Sequence, residues 1–226
     1  MIKGFLDIIR KENPLQQAQQ EAFEMLMTCS AMFDEAVCRL RNSEMANEDY
    51  DIRAEDKAVN KLERDIRRKI VSHLTVGHVE HIDTGLALSS TIIDMERLGD
   101  YTKNVYDLSR RYQGDLVAGE YESQLRDVEE TVRKSFKEIV PALNNSEIDH
   151  AREIMQRCTE ASKLCNTIVD DIIMGKAPEF ESQQVTATVI LYFRYLKRIS
   201  AHLLNIASSV VNPFARIGFK EKDESI

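Results

Sequence analysis

The sequence predicts an all-α protein made of two tandem antiparallel three-helix bundles, a duplicated six-helix fold. Three observations lead there. Apolar residues recur every three or four positions through long spans, with almost no alternating strand pattern. Helix breakers are sparse and fall between those spans: Pro14, Gly77, Gly114, Gly119, Gly175, Pro178 and Pro213. The chain also repeats itself. Phe33-Asp-Glu-Ala-Val37-Cys-Arg-Leu40-Arg-Asn42-Ser43-Glu44 returns as Phe136-Lys-Glu138-Ile-Val140-Pro-Ala-Leu143-Asn-Asn145-Ser146-Glu147, seven identities in twelve at a constant shift of 103. A second echo, offset by 101, links Glu96-Arg97-Leu98-Gly99-Asp100 and Asn104 to Lys197-Arg198-Ile199-Ser200-Ala201 and Asn205. A unit of about 100 residues has been copied in tandem.

Taken in order, residues 1–14 form a short amphipathic segment with Ile2, Phe5, Leu6 and Ile9 at helical spacing. Such a face packs on its own protein more often than on a membrane or a partner. The first repeat spans 15–114. Its first helix is predicted over 15–42, with Phe23, Leu26, Met27, Phe33, Val37 and Leu40 along one stripe. The second is expected over 44–74, where Ile52, Val59, Leu62, Ile66 and Ile70 recur, with Ser43 as its cap. The third covers 79–112. Short links between long helices make neighbours antiparallel. The second repeat, 119–211, follows the same scheme with helices over 120–144, 146–174 and 181–211, Ser146 capping the middle one. Residues 212–226 form a C-terminal tail whose last dozen read as frayed and charged.

Composition bounds the function. A chain of 226 residues with 43% hydrophobic and 30% charged content folds as a globular protein. The net charge of −8 and the mixing of bases with acids, as in Arg64-Asp-Ile-Arg67-Arg68-Lys69, leave no footprint for nucleic acid. No apolar run approaches the roughly 18 residues needed to cross a bilayer, and the start lacks a signal-peptide cleavage region. Membrane association is at most peripheral, and a cytoplasmic protein is expected. Cys29, Cys38, Cys158 and Cys165 form no CxxC pair and lie in apolar-periodic stretches, which reads as free thiols in a reducing compartment. No phosphate loop, no G-x-S-x-G and no cysteine–histidine pair in sequence context points to catalysis. An enzyme is not expected.

One constellation stands out. Glu96 and Asp100 lie four apart on a helix, so both carboxylates emerge on one face, with Gly99 between them. A glycine inside a helix costs about 1 kcal/mol against alanine and asks for a close neighbour. On the preceding helix Asp56 and Asn60 repeat the spacing, so Asp56, Asn60, Glu96 and Asp100 make an oxygen-rich patch suited to a divalent cation. The competing reading is a solvated acidic stripe neutralised by Arg64, Arg97 or Lys103.

Two other groupings are weaker. Glu147-Ile-Asp-His150 has Glu-x-x-His spacing but occurs once, whereas a diiron core needs two such motifs and further glutamates. His73, His78 and His81 flank Gly77 and would bind zinc if the loop brought them together, but with no cysteine nearby they read as surface histidines.

Glu96-Arg-Leu-Gly-Asp100-Tyr-Thr-Lys-Asn104 resembles the E-R-I-G-D-H-x-x-N signature of the PhoU family, the phosphate-uptake regulators of bacteria and archaea. The resemblance spans nearly the whole chain, from about Leu15 to Val211, because that family consists of duplicated three-helix bundles with one such motif per repeat. It implies a regulatory adaptor that couples a phosphate transporter to phosphate-responsive signalling, acting as a negative regulator of transcription. The implied partners are the transporter ATPase subunit and a membrane sensor histidine kinase. Tyr192, Phe193 and Tyr195 lie close together on the last helix, more than one inward face readily accommodates, which suggests a homodimer, although core packing is the commoner fate of such residues. The resemblance also implies a divalent metal of iron or zinc type in the first repeat, on Glu96, Asp100, Asp56 and Asn60, with no organic cofactor. The second copy departs from the pattern: Lys197, Ser200 and Ala201 stand where acid, glycine and acid belong, and Ser162 stands opposite Asp56, so no multinuclear cluster is expected there. The alternatives are an accessory protein of a different phosphate importer and a ferritin-like metal-storage or diiron protein.

Overall fold

The computed structural model describes residues 13–221, so the amphipathic segment of 1–12 and the last five residues lie outside the described part. Among the described residues the regular structure is helical, with six long helices. They are α1 (Pro14–Arg41), α2 (Ile52–Thr75), α3 (Ile82–Arg111), α4 (Glu122–Asn145), α5 (Ile148–Ile173) and α6 (Gln183–Val211). Helices α1 to α3 pack on one another, as do α4 to α6, and the two triplets meet where α3 lies on α6 and α1 on α4. The duplicated pair of three-helix bundles predicted from the repeat is therefore the architecture found.

Each helix begins for a local reason. Asn13 caps α1: its side chain accepts from Gln16 N at 2.9 Å, while Gln16 Oε1 accepts from Asn13 N at 3.1 Å, with Pro14 in the first turn. The start of α2 differs from the sequence expectation. Residues 43–45 form a separate 3₁₀ turn, and Asp51 caps α2 by accepting from Arg53 N and Ala54 N at 3.0 and 3.1 Å. A carboxylate at this point serves the exposed N–H groups and the helix dipole together. Ser43 caps nothing; its N–H and hydroxyl both donate to Asp115 Oδ1 at 2.8 Å.

Ser146 also departs from its expected role. It is the left-handed residue that ends α4, with φ 53°, and Glu147 N donates to Ala142 O at 3.0 Å to close the turn. Pro141 sits in the last turn of α4, where the kink it imposes matters little. After α6, Asn212 Nδ2 donates to Arg216 O and Phe219 O at 3.1 and 2.7 Å, and Arg152 pairs with Glu221 at 2.6 Å, so residues 212–221 turn back on the body.

The buried apolar residues of both triplets form one continuous cluster. Tyr192 and Phe193 are fully enclosed in it, and Tyr195 packs against Tyr101 with ring centroids 6.4 Å apart, so these aromatics are core and not a free surface. Across the seam, equivalent residues of the two copies meet each other. Phe33 touches Phe136, centroids 5.6 Å apart, and Tyr101 stacks on His202 at the same distance. The contacts are reciprocal: Tyr101 reaches Tyr195, while its counterpart His202 donates from Nδ1 to Oδ1 of Asp94, the counterpart of Tyr195, at 2.6 Å. That is the pattern of a two-fold interface, in which residue i meets j and j meets i.

Polar groups reinforce the same seam. Asn205 Nδ2 donates to Asp94 Oδ1 at 3.0 Å beside His202. At its other end Arg41, from α1, enters a nearly enclosed site on the second triplet. Its Nε lies 3.1 Å from Glu129 Oε1, its guanidinium also binds Glu122, and it donates to Leu116 O. Tyr192 donates to Glu129 Oε1 at 2.7 Å. Burial holds the Glu129 carboxyl above its ordinary range, against the pull of Arg41 and the Tyr192 hydroxyl.

Candidate functional site

The acidic patch lies where α2 and α3 run side by side on the first repeat. Helical spacing brings Asp56 and Asn60 onto one face of α2, and Glu96 and Asp100 onto the facing edge of α3, all of them half-buried. Gly99 does mark an approach of helices: a β-carbon built there would lie 3.6 Å from Cys29 Sγ and from Val59 Cγ1. That is ordinary contact, so the site has room for an alanine and the glycine is not forced by lack of space.

The carboxylates are not left to repel one another. Lys103 Nζ sits between Asp56 Oδ1 and Asp100 Oδ1 at 2.7 and 3.1 Å, and so bridges α2 to α3. Arg97 covers the outer side, 3.0 Å from Asp100 Oδ2 and 3.5 Å from Glu96 Oε2. Asn60 turns its amide nitrogen back to Asp56 O at 2.9 Å, which leaves its amide oxygen as the donor available to a ligand.

The electrostatics remain in favour of a cation. Burial, then the Asp100 charge, push the Glu96 carboxyl above its ordinary value, with Glu63 and Asp56 adding to the effect. Burial pulls the Lys103 ammonium down, but its bonds to Asp56 and Asp100 outweigh that and raise it. Four acids, Asp56, Glu63, Glu96 and Asp100, thus face three bases, Lys103, Arg97 and Arg67, the last 2.6 Å from Glu63 Oε1. Glu63, one turn beyond Asn60, belongs to this surface and went unnoticed in the sequence because the four-residue spacing ends at Asn60.

As a metal site the four predicted residues fit partially. Their chemistry suits a hard or borderline divalent ion. The place such an ion needs between Asp56 and Asp100 is held by Lys103, and no three carboxylates here converge within 4.8 Å of one another. A divalent ion would have to displace the ammonium.

The equivalent face of the second repeat has a different character. Arg198, at the position of Arg97, donates to the Tyr101 hydroxyl at 3.0 Å and lies over its ring at 5.3 Å, joining the two repeats. Lys197 stands where Glu96 does, close enough to Cys165 to oppose the rise in that thiol. Burial nevertheless pushes Cys165 and Cys29 up to about 12 and Cys158 up to about 11, so these three thiols are inert side chains of the core. His150 lies between Glu147 and Glu138 at 3.1 and 3.3 Å on the surface, a local ion pair and not half of a dinuclear centre. An open cleft of about 620 Å³ between α1, α3 and the segment after α6 is lined by Phe23, Leu88, Met95, Pro213 and Phe214 among others.

Comparison with known proteins agrees with this architecture. The PhoU domain model matches twice, over residues 23–108 and 125–210, one match per triplet. The crystal structure of PhoU from Pseudomonas aeruginosa superimposes with a TM-score of 0.72 at 20% identity, covering 87% of this chain and 95% of that one. The phosphate transport system regulatory protein PhoU from Streptococcus pneumoniae gives 0.73 at 19% identity, covering 87% and 92%. No curated protein sequence matches at a significant level. Two matched domains that between them span most of the chain, on a fold shared with solved PhoU structures, place this protein in the PhoU family.

Proposed function

We propose that this protein is a PhoU-like regulatory adaptor, which couples the activity of a phosphate transporter to phosphate-responsive signalling through protein contacts. The observation that carries the reading is the double PhoU match, one per triplet. Its partners under this reading are the transporter ATPase subunit and a membrane sensor histidine kinase, met in the cytoplasm. No described helix is long and apolar enough to cross a membrane. The open cleft beside Phe23 and Phe214 supplies an apolar concavity for docking. Self-association stays part of the proposal, but Tyr192 and Phe193 no longer support it, since both are core.

The acidic patch has a defined part in this reading. Lys103 acts as the resident cation, and a divalent ion of iron or zinc type competes with it for Asp56, Glu96 and Asp100, with Asn60 adding a neutral oxygen. The ferritin-like alternative finds little support: Glu129 is the one carboxylate in the buried set of the described residues, and it is taken up by Arg41 and Tyr192. A second reading, an accessory protein of a different phosphate importer, is favoured by Lys197 and Ala201 in place of the acidic pair.

The test is a co-purification of the full chain with candidate transporter ATPase subunits and the kinase under phosphate-replete conditions. Recovery of the ATPase subunit or kinase of the high-affinity system supports the adaptor. Recovery of another phosphate importer alone moves the assignment to the second reading. Failure to recover any of them, with phosphate-responsive expression unchanged on deletion, removes both.

A further inference from the structure

We propose that His73, His78 and His81 form a binding site for a divalent transition-metal ion of the zinc class at the turn between α2 and α3. The proposal is independent of the adaptor reading and of the acidic patch. His73 lies in the last turn of α2, which ends at Thr75. Gly77, with φ 100°, reverses the chain in a conformation that side chains other than glycine rarely adopt. The 3₁₀ turn Val79–His81 then carries the chain into α3. This fold places one ligand nitrogen from each of the three rings within 4.8 Å of the others. Spacing alone makes them surface histidines, because it does not reveal that the turn folds His78 and His81 back over His73.

Four features separate this cluster from an accidental grouping. First, His73 is enclosed, 1% exposed, and its Nδ1 is buried without a hydrogen-bond partner. An ion on Nε2, the nitrogen turned to His81, leaves that Nδ1 as it is, so what burial supplies is a ring fixed in place for ligation. Second, the three rings stack, with His73 4.4 Å from His78 and 5.0 Å from His81 between centroids. Third, His73 Nε2 and His81 Nδ1 share a hydrogen bond of 2.7 Å, one nitrogen donating and the other accepting, so both already point at one small region where an ion can replace the shared proton. Fourth, Glu80 Oε1 lies 3.2 Å from His78 Nδ1. A carboxylate on one ring nitrogen fixes the tautomer and orients the other nitrogen toward a metal, the usual outer partner of a ligating histidine.

Three neutral imidazoles are the donor set of zinc, copper, nickel and cobalt and not of calcium or magnesium, which take oxygen. Zinc–nitrogen bonds of about 2.0–2.1 Å in a tetrahedral arrangement hold neighbouring nitrogens about 3.3 Å apart. The His73–His81 pair therefore opens by about half an ångström on binding, well within the freedom of the exposed Gly77–His78 turn. His78 and Glu80 are exposed, so the fourth position faces solvent and takes water. An ion held here ties the end of α2 to the start of α3, the same two helices that carry Asp56 and Asp100.

The experiment uses the full chain purified without a histidine tag, titrated with Zn²⁺ against a chromogenic chelator and with Co²⁺ followed by visible absorption. His78 and His81 are replaced together by alanine; both lie outside the core, so the fold is checked by circular dichroism and should persist. A second variant, Glu96→Gln with Asp100→Asn, leaves the histidines intact. The wild-type chain is expected to bind one ion at the histidines with a dissociation constant below about 10 µM, apart from any weaker ion competing with Lys103, and to give the intense absorption of tetrahedral cobalt. The folded histidine variant should lose affinity at least about 100-fold, while the acidic variant keeps it. Equal affinity in the histidine variant, loss in the acidic variant, octahedral cobalt spectra, or binding weaker than that limit would each overturn the site.

Discussion

Replacing Arg41 by methionine probes how the two triplets are held together. The side chain of Arg41 is 10% exposed and that of Glu129 6%, so the pair is effectively sealed at the seam. Methionine keeps most of the aliphatic volume, leaving loss of charge as the main change. Glu129 then retains the Tyr192 hydroxyl at 2.7 Å and no guanidinium in contact, with only the Arg133 charge acting on it from farther away. Breaking one side of a buried pair typically costs about 3–5 kcal/mol. The cost has a ceiling, since the stranded carboxyl can take up a proton at about 1.4 kcal/mol per unit of pKa shift.

The sign of the pH effect follows. Burial already raises the Glu129 carboxyl, and removing Arg41 raises it further. A carboxyl with a raised folded-state pKa binds protons more tightly when folded than unfolded. Its contribution is therefore favourable at low pH and is lost as pH climbs above the unfolded value near 4.3. Arg41→Met should accordingly lose about 3–5 kcal/mol at pH 8 and distinctly less at pH 5, measured by urea unfolding. Adding Glu129→Gln should restore part of the loss at pH 8, because a neutral amide no longer needs the guanidinium. A loss under about 1 kcal/mol, or one that is the same at both pH values, would refute the argument that a sealed charge pair fastens this end of the seam.

Asp94→Ala removes partners from His202 and Asn205 at the opposite end of the seam and should cost about 2 kcal/mol in the same assay. Gly99→Ala should be neutral or stabilising by up to about 1 kcal/mol, because the new methyl meets Cys29 and Val59 at ordinary contact distance and α3 gains helix propensity. Lys103→Ala should raise divalent-ion affinity at Asp56, Glu96 and Asp100, read by calorimetry, and unchanged or weaker binding would count against its role as a resident cation. Bonds to Glu147, then to Glu138, raise the His150 pKa. The folded protein should hold that proton above the ordinary value of 6.5, with the resulting stability complete below 6.5 and fading as pH rises through the folded pKa. Proton NMR of His150 in the wild type and in Glu138→Gln, where the pKa should fall, checks this.

Much of the architecture was legible because its causes are local and periodic. The apolar stripe from Phe33 through Val37 to Leu40, and its copy from Phe136 to Leu143, encode both the helices and their duplication. The starts of α2 and α5 differ from the expectation because serine ahead of an acid suggests a cap, whereas a distant partner decides the first and the geometry of the turn the second. Asp115, 72 residues along the chain, claims Ser43, and Ser146 is forced left-handed by the short turn into α5. Glu96 and Asp100 were found by spacing, but Lys103 as the bridge to Asp56 was only one of three basic candidates. The stacking of His73 on His78 and His81 depends on the dihedral of Gly77 and has no periodic signature at all.

The reciprocal meeting of Phe33 with Phe136, and of the Tyr101 and His202 surroundings, has a bearing on where this chain came from. A lone ancestral triplet would have exposed the faces of its first and third helices, and the natural cover for them was a twin of itself. Joining two such triplets in one chain turns a bimolecular encounter into an intramolecular one, raising the effective concentration of each half for the other. Once joined, the twins no longer had to be alike, and a substitution such as acid to Lys197 altered one surface instead of two. Severing the connection near Gly114 should let the two fragments find each other again when mixed, as separate subunits of a heterodimer.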